Sequence, residues 1–352
     1  MVSKATTHRR LTASEFAIGT AAAVSSRARP LFRSSAAILL GISLTLPALG
    51  QWKPQKNIEV VVATSPGSGL DTMARTMATI LREGALIETN VSVLNRPGGG
   101  MAVGLNYLSQ RAGDGHILFM NVASVLSAHI TGQSKFNYSD FTPLAQLATE
   151  PIVFVVPVQS RLNSGKDLVA QLKQDPASVS LAFSTTRGNT AHIAIALAGR
   201  GAGVDIRKMK TVVFNSAGDA TAAALGGHVD VAVGTPANLV ALMSAGKLRM
   251  LAVASAERQS GPMRDVPTWR EQGIDAIVTQ WRGVLGASGL TREQVAFWDA
   301  TLEKMTKTPE WRTYLEKYQF PNTYANSERT RNELDAEYVK VREILSQLGM
   351  AK

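Results

Sequence analysis

Residues 58 to 75 read IEVVVATSPGSGLDTMAR. Ile58 to Ala63 is a short apolar run dominated by β-branched residues, which predicts a buried strand. A Ser/Pro/Gly turn follows, and beyond it Met73, Met77, Ile80 and Leu81 recur at helical spacing on one face. Strand, glycine turn and helix together make the unit of an α/β fold. Further along, Val91 to Leu94, Ile117 to Met120 and Ile152 to Val156 read as strands, with Met101, Leu105 and Leu108 marking a helix between the first two. The alternation continues through Val179 to Phe183, a helix from about Thr190, Thr211 to Phe214, Ala220 to Leu225, Val229 to Val233, Leu239 to Met243 and Leu248 to Ala254. Largely parallel sheets are therefore expected, with no internal sequence repeat. After Trp281 the pattern turns helical: Thr291 to Gln294 resembles a capping box, Thr308-Pro309 puts proline at a first helical position, and Asn326 to Leu348 has helical periodicity.

Four of the strand-to-helix turns have the composition of an anion cradle. In Ser65-Pro66-Gly67-Ser68-Gly69-Leu70-Asp71, glycines allow close backbone approach and the helix start presents free N–H groups. It is not a dinucleotide fingerprint, because Thr72 stands where a third glycine belongs. Asn95-Arg96-Pro97-Gly98-Gly99-Gly100 reads first as a tight loop. The third turn, Ser184-Thr185-Thr186-Arg187-Gly188-Asn189-Thr190-Ala191-His192, combines hydroxyls, amides and one guanidinium, all suited to an oxyanion. Arg187 reads equally as a solvated cation and His192 as a residue bonded to the backbone. Phe214-Asn215-Ser216-Ala217-Gly218-Asp219 repeats the pattern.

Catalytic constellations are missing. The chain has no cysteine, and its five histidines form no H-x-x-x-H or HExxH pair. Gly67-Ser68-Gly69 does not complete G-x-S-x-G. Anion-friendly turns without base, metal site or nucleophile describe a binder, with no catalytic residue, no metal and no cofactor expected.

Of the 352 residues, 45% are hydrophobic, enough for substantial cores. The net charge of +10 is concentrated at the start, where residues 1 to 50 carry six basic side chains against Glu15 alone. The remainder is mildly basic without a Lys/Arg tract, so nucleic acid is not an expected partner. Ser35 to Gly50, SAAILLGISLTLPALG, is an apolar stretch behind a basic leader, ending in an A-x-A-like pattern. Residues 1–50 therefore read as a secretory signal peptide cut near Gly50, the run being too short to span a bilayer comfortably.

Six stretches, VVVATSPGSGLDTMAR (60 to 75), NRPGGG (95 to 100), GDGH (113 to 116), LGGHVDVAVG (225 to 234), AGKLRMLAVASAER (245 to 258) and DVPTWREQG (265 to 273), resemble in order and spacing the tripartite tricarboxylate transporter receptors, or Bug proteins. The resemblance covers essentially the whole chain from Trp52, and TPEWRTYLEK (308 to 317) extends it into the C-terminal region. It implies a two-lobe periplasmic-binding-protein fold, type II-like, each lobe a mostly parallel sheet flanked by helices, with a helical C-terminus. Lobe one would be residues 51–153 plus 282–352 and lobe two 154–281, the chain crossing near Ile152 to Pro157 and near Thr279 to Leu285. It further implies periplasmic capture of a small organic carboxylate and delivery to the membrane permease subunits of a tripartite transporter. A ligand-loaded form docking on a signalling partner would need the same cleft.

The ligand-holding loops of the family match Pro66, Gly67, Ser68, Gly69 and Asp71, then Thr185, Thr186, Arg187, Gly188, Asn189, Thr190 and His192, with Asn215, Ala217 and Asp219 adding contacts. The chain departs from the family at Gly67-Ser68-Gly69-Leu70, at Phe214-Asn215-Ser216-Ala217 and at Arg187, so ligand identity does not carry over. Facing the cleft, Arg187 would select polyacids; at the rim it would not.

Overall fold

A computed structural model describes residues 52–236 and 239–352. The expected signal peptide, with its cut near Gly50, lies outside the described residues. Strands β1 (Ile58–Val62), β2 (Val91–Asn95), β3 (Ile117–Val122), β4 (Thr142–Pro151) and β10 (Thr279–Gly286) form one sheet in the order β2-β1-β3-β10-β4. A second sheet has the order β7-β6-β8-β5-β9, from β5 (Val153–Pro157), β6 (Leu181–Ser184), β7 (Thr211–Phe214), β8 (Val231–Gly234) and β9 (Leu248–Val253). Although no sequence repeat is visible, the two orders are equivalent position by position. In each sheet one strand runs against both neighbours: β10 in the first and β5 in the second. The sheets are thus mixed, with four of the five strands in each running one way, in keeping with the largely parallel sheets expected from the apolar runs. The exceptional strand is in each case the one that follows a crossing. A chain arriving from the other sheet enters over the C-terminal edge and runs back.

Helices α1 (Gly69–Glu83), α2 (Ala102–Ser109) and α3 (Ser124–Ile130) alternate with the first three strands. Helices α4 (Gly165–Gln174), α5 (Thr190–Gly201), α6 (Ala217–Leu225) and α7 (Leu239–Ser244) do the same in the second sheet. The C-terminal helices α8 (Arg292–Thr306), α9 (Pro309–Tyr318) and α10 (Ser327–Gln347) start as the sequence predicts. Thr291 and Gln294 form a reciprocal capping box, Thr308 caps α9 ahead of Pro309, and Asn326 caps α10. Strands β4 and β10 and helix α3 are additions to the sequence reading; β10 runs on to Gly286, past Trp281, where the sequence pattern turns helical.

The strand β1 shows why both faces of the first sheet are dry. Ile58, Val60 and Val62 join Met73, Met77, Trp298 and Trp311 on one side, while Val61 points to Leu105 and Leu126 on the other. The second of these clusters continues into the other sheet through Phe154, Phe183 and Ile193. Helix α10 lies along β4 and touches both α3 and α5, so it leans on both sheets. An Arg200–Glu343 ion pair at 2.7 Å and a bond from Arg207 Nε to the Gln347 carbonyl at 2.6 Å fasten that contact.

Candidate functional site

The first cradle is the turn from β1 into α1. Ser68 caps the helix by accepting from the Asp71 N–H, and its hydroxyl lies 2.6 Å from that of Thr64. Asp71 is buried, and its carboxylate is fully used: Oδ2 accepts from the Gly67 N–H at 2.8 Å and Arg75 Nε at 2.9 Å, and Oδ1 from Arg75 Nη2 and Asn95 Nδ2. Burial would raise its pKa, but the bonds from Arg75, Gly67 and Asn95 outweigh that, and the group is held below the ordinary carboxylate range. Asp71 thus shapes the loop and has no lone pair free for a ligand. Pro66, Gly67 and Gly69 are exposed around it, with Ser68 half-buried.

The third turn of the sequence reading is the second cradle. Asn189 caps α5, accepting from the His192 N–H at 2.9 Å while its own amide donates to the Ser184 carbonyl at 2.6 Å. Thr185 takes a left-handed φ of 73° and donates its N–H to the Phe214 carbonyl, which ties this loop to the one after β7. His192 is buried, stacks on Phe183 with ring centroids 4.9 Å apart, and accepts the Gly188 N–H on Nδ1 at 2.9 Å. Gly188 sits at φ 85°, where a side chain would be strained and would press on Met350. Burial, helped by the Arg187 charge, lowers the His192 pKa to about 4, so the ring is neutral and the acceptor role is secure. Thr186 is exposed, and Arg187 turns away to Thr211 at the start of β7, with Nη1 2.9 Å from the hydroxyl. The Arg187 side chain is thus exposed and bonded to β7.

Beyond β7, Ser216 caps α6 through the Asp219 N–H, and Asn215, Ala217 and Asp219 are all exposed. The glycines at 98 to 100 form a left-handed run that closes the loop after β2, and Asn95, the last residue of β2, serves the first cradle.

What brings the two cradles together is β10. Gln280 and Arg282 lie two residues apart on this strand, on one face and about 6.6 Å along it. The Thr190 hydroxyl, in the first turn of α5, donates to Gln280 Oε1 at 2.5 Å. The Arg282 guanidinium lies against the first residue of α1: a Cβ on Gly69 would fall 3.2 Å from Nη2 and 3.3 Å from Nη1. Glu150 on β4 is directly opposite Gln280 and pairs diagonally with Arg282 at 2.8 Å. Burial raises the pKa of Glu150, with Arg282 opposing the shift. None of Glu150, Gln280 and Arg282 was singled out from the sequence. Their local signal is weak, since Arg282 and Glu150 are 132 positions apart.

A cavity of about 680 Å³ runs along α1 and touches the first cradle at Pro66, Gly67 and Asp71, but takes no residue from the second sheet. Glu83 and Glu310 line it beside Arg75, whose charge Asp71 already neutralises, so this groove does not favour an anion.

The family model described as "Tripartite tricarboxylate transporter family receptor" matches residues 73–350. Protein BugT of Bordetella pertussis is 27% identical over 251 residues, covering 70% of this chain and 75% of that protein. A TctC solute-binding protein from Polaromonas superposes with a TM-score of 0.74 at 26% identity, over 84% of this chain and 99% of that one. The structure of R. palustris Rpa4515 with adipate superposes with a TM-score of 0.70 at 21% identity, over 85% and 99% respectively.

Proposed function

Since the chain belongs to the tripartite tricarboxylate transporter family of receptors, we propose that it captures a small organic carboxylate between two lobes and delivers it to the membrane permease of such a transporter. The lobes are residues 51–153 with 282–352, and residues 154–281; export to the periplasm belongs to the same reading. The observation that carries it is the single face of β10, which touches the first turn of α1 through Arg282 and the first turn of α5 through Gln280. The N-termini of α1 and α5 are thus both held against β10, and such termini favour anions. Helix α5 has no acid in its first turn, and the acid of α1 is masked by Arg75. Pro66, Gly67, Ser68 and Gly69 would take one end of the ligand, and Thr185, Thr186, Gly188, Asn189 and Thr190 the other, with Asn215, Ala217 and Asp219 closing the side. The protein acts by binding and release, without turnover. Adipate bound to the R. palustris protein supports a dicarboxylate-sized cleft.

Native mass spectrometry of the purified protein, followed by thermal unfolding with acetate, succinate, adipate and citrate, tests this. A carboxylate present at 100 times its dissociation constant stabilises the protein by about 2.7 kcal/mol. No retained carboxylate and no stabilisation by any of the four would refute the reading.

A further inference from the structure

Arg282 is an unusual residue for the interior of a sheet. Its side chain is only 12% exposed, yet among the described residues it makes a single hydrogen bond, from Nη2 to Glu150 Oε1. The Nε–H is buried without a partner, and Nη1 has none either. A guanidinium serving only to neutralise a buried carboxylate would meet it with two parallel bonds, and this one does not. Instead the group is spread between Glu150, the ring of Phe320 at 5.1 Å, and the space that Gly69 leaves open by having no Cβ. Gly69 is itself exposed and begins α1, so the guanidinium reaches the surface of the first cradle.

We propose that Arg282 is the charge-selecting residue of the cleft: held by Glu150 through Nη2, it offers the N–H groups of Nη1 to a carboxylate of the ligand beside Gly69. The proposal rests on the carboxylate-binding reading and deepens it, moving the cationic contact from Arg187, which is committed to Thr211, to the strand that joins the lobes. Glu150 is then a positioning residue. It fixes the guanidinium plane and cancels the buried charge in the absence of ligand, so the empty site does not hold an uncompensated cation. On β10 the neighbour on the same face, Gln280, holds Thr190, so the side chain that recognises charge and the one that touches the second lobe share one rigid element.

The test compares a carboxylate with its own amide. Calorimetric titration of the wild type with acetate, succinate, adipate and citrate identifies the tightest of these, which is then set against its mono-amide. The wild type is expected to prefer the acid by about 100-fold, in the range of a desolvated charge pair. In Arg282→Gln, and in the double variant Glu150→Gln/Arg282→Gln, that preference should fall below about 5-fold, while Arg282→Lys keeps part of it. The double variant removes both buried charges together, so it remains folded where the single change is destabilised. Variants that melt earlier but keep the wild-type acid-to-amide ratio would overturn the proposal and leave Arg282 a structural ion-pair partner. A wild type that binds none of the four removes the carboxylate reading, and this proposal with it.

Discussion

The two cradles solve the same problem with different chemistry. In the first, the loop is held by a charge: Asp71 is buried at a helix start, and Arg75, Asn95 and the Gly67 amide consume its four acceptor sites. In the second, the loop is held by neutral groups, with Asn189 bridging Ser184 to the start of α5 and His192 accepting from Gly188. An acid in the first turn opposes an incoming anion unless a cation covers it, whereas a neutral imidazole leaves the helix terminus undiminished. The second cradle is therefore the more favourable place for a carboxylate by backbone electrostatics alone. The first needs a counter-charge, which Arg75 gives to the loop and Arg282 gives to its mouth.

The sharpest way to break this contrast is Asp71→Asn. It leaves Arg75 without its carboxylate and replaces an acceptor of the Gly67 amide, and a loss of about 3 kcal/mol in urea unfolding is expected, with Arg75 being half-exposed and so recovering some water. A loss below about 1 kcal/mol would show that the charged knot is not what holds the first loop.

The pH dependence of the second cradle is next in size. His192 has a folded pKa near 4 against 6.5 in the unfolded chain, so protons bind the unfolded state first as the pH drops. The stabilisation is complete above about 6.5 and is lost between there and about 4. Between pH 7 and 5 it amounts to about 2 kcal/mol. His192→Gln, unfolded in urea at both pH values, should lack that increment; an identical pH slope in wild type and variant would show that the ring is not kept neutral by its surroundings.

The smallest effect belongs to Arg187→Ala. With its exposed guanidinium on Thr211, its loss should change stability by less than about 1 kcal/mol and adipate affinity by less than about 3-fold. A selective loss of dicarboxylate over acetate binding would restore the arginine to the cleft.

These residues also show what a reader of the sequence can reach. The strand and helix at 58 to 83 are legible because burial on both faces and an amphipathic face each leave a local pattern, and the caps at Thr291, Thr308 and Asn326 are local too. Strand β4 is not legible in the same way. TPLAQLATEP carries proline at both ends and the buried Glu150, a carboxylate tolerated only because Arg282 arrives beside it from much later in the chain. The turns that form the cradles announce themselves through Gly, Ser, Thr and Asn. Their internal bonding does not, because an Asp at a helix start reads the same whether its oxygens face a ligand or a neighbouring arginine. Arg187 illustrates the same limit: its residue type is plain, but its direction is set by Thr211 on the adjacent strand.

The two places where the chain passes between sheets lie side by side. Thr279 pairs with Pro151 at the end of one sheet, Val153 with Val253 at the start of the other, and between them the Ala254 N–H bonds to the Ile152 carbonyl and the Val278 N–H to the Ala254 carbonyl. Two adjacent straps behave unlike one. A single strap lets its two bodies swivel about it in any direction, while a hydrogen-bonded pair permits folding across its line and resists torsion along it. In the proposed lobe closure the motion is then confined to one arc, and each closure brings the start of α5 back to the same facing spot.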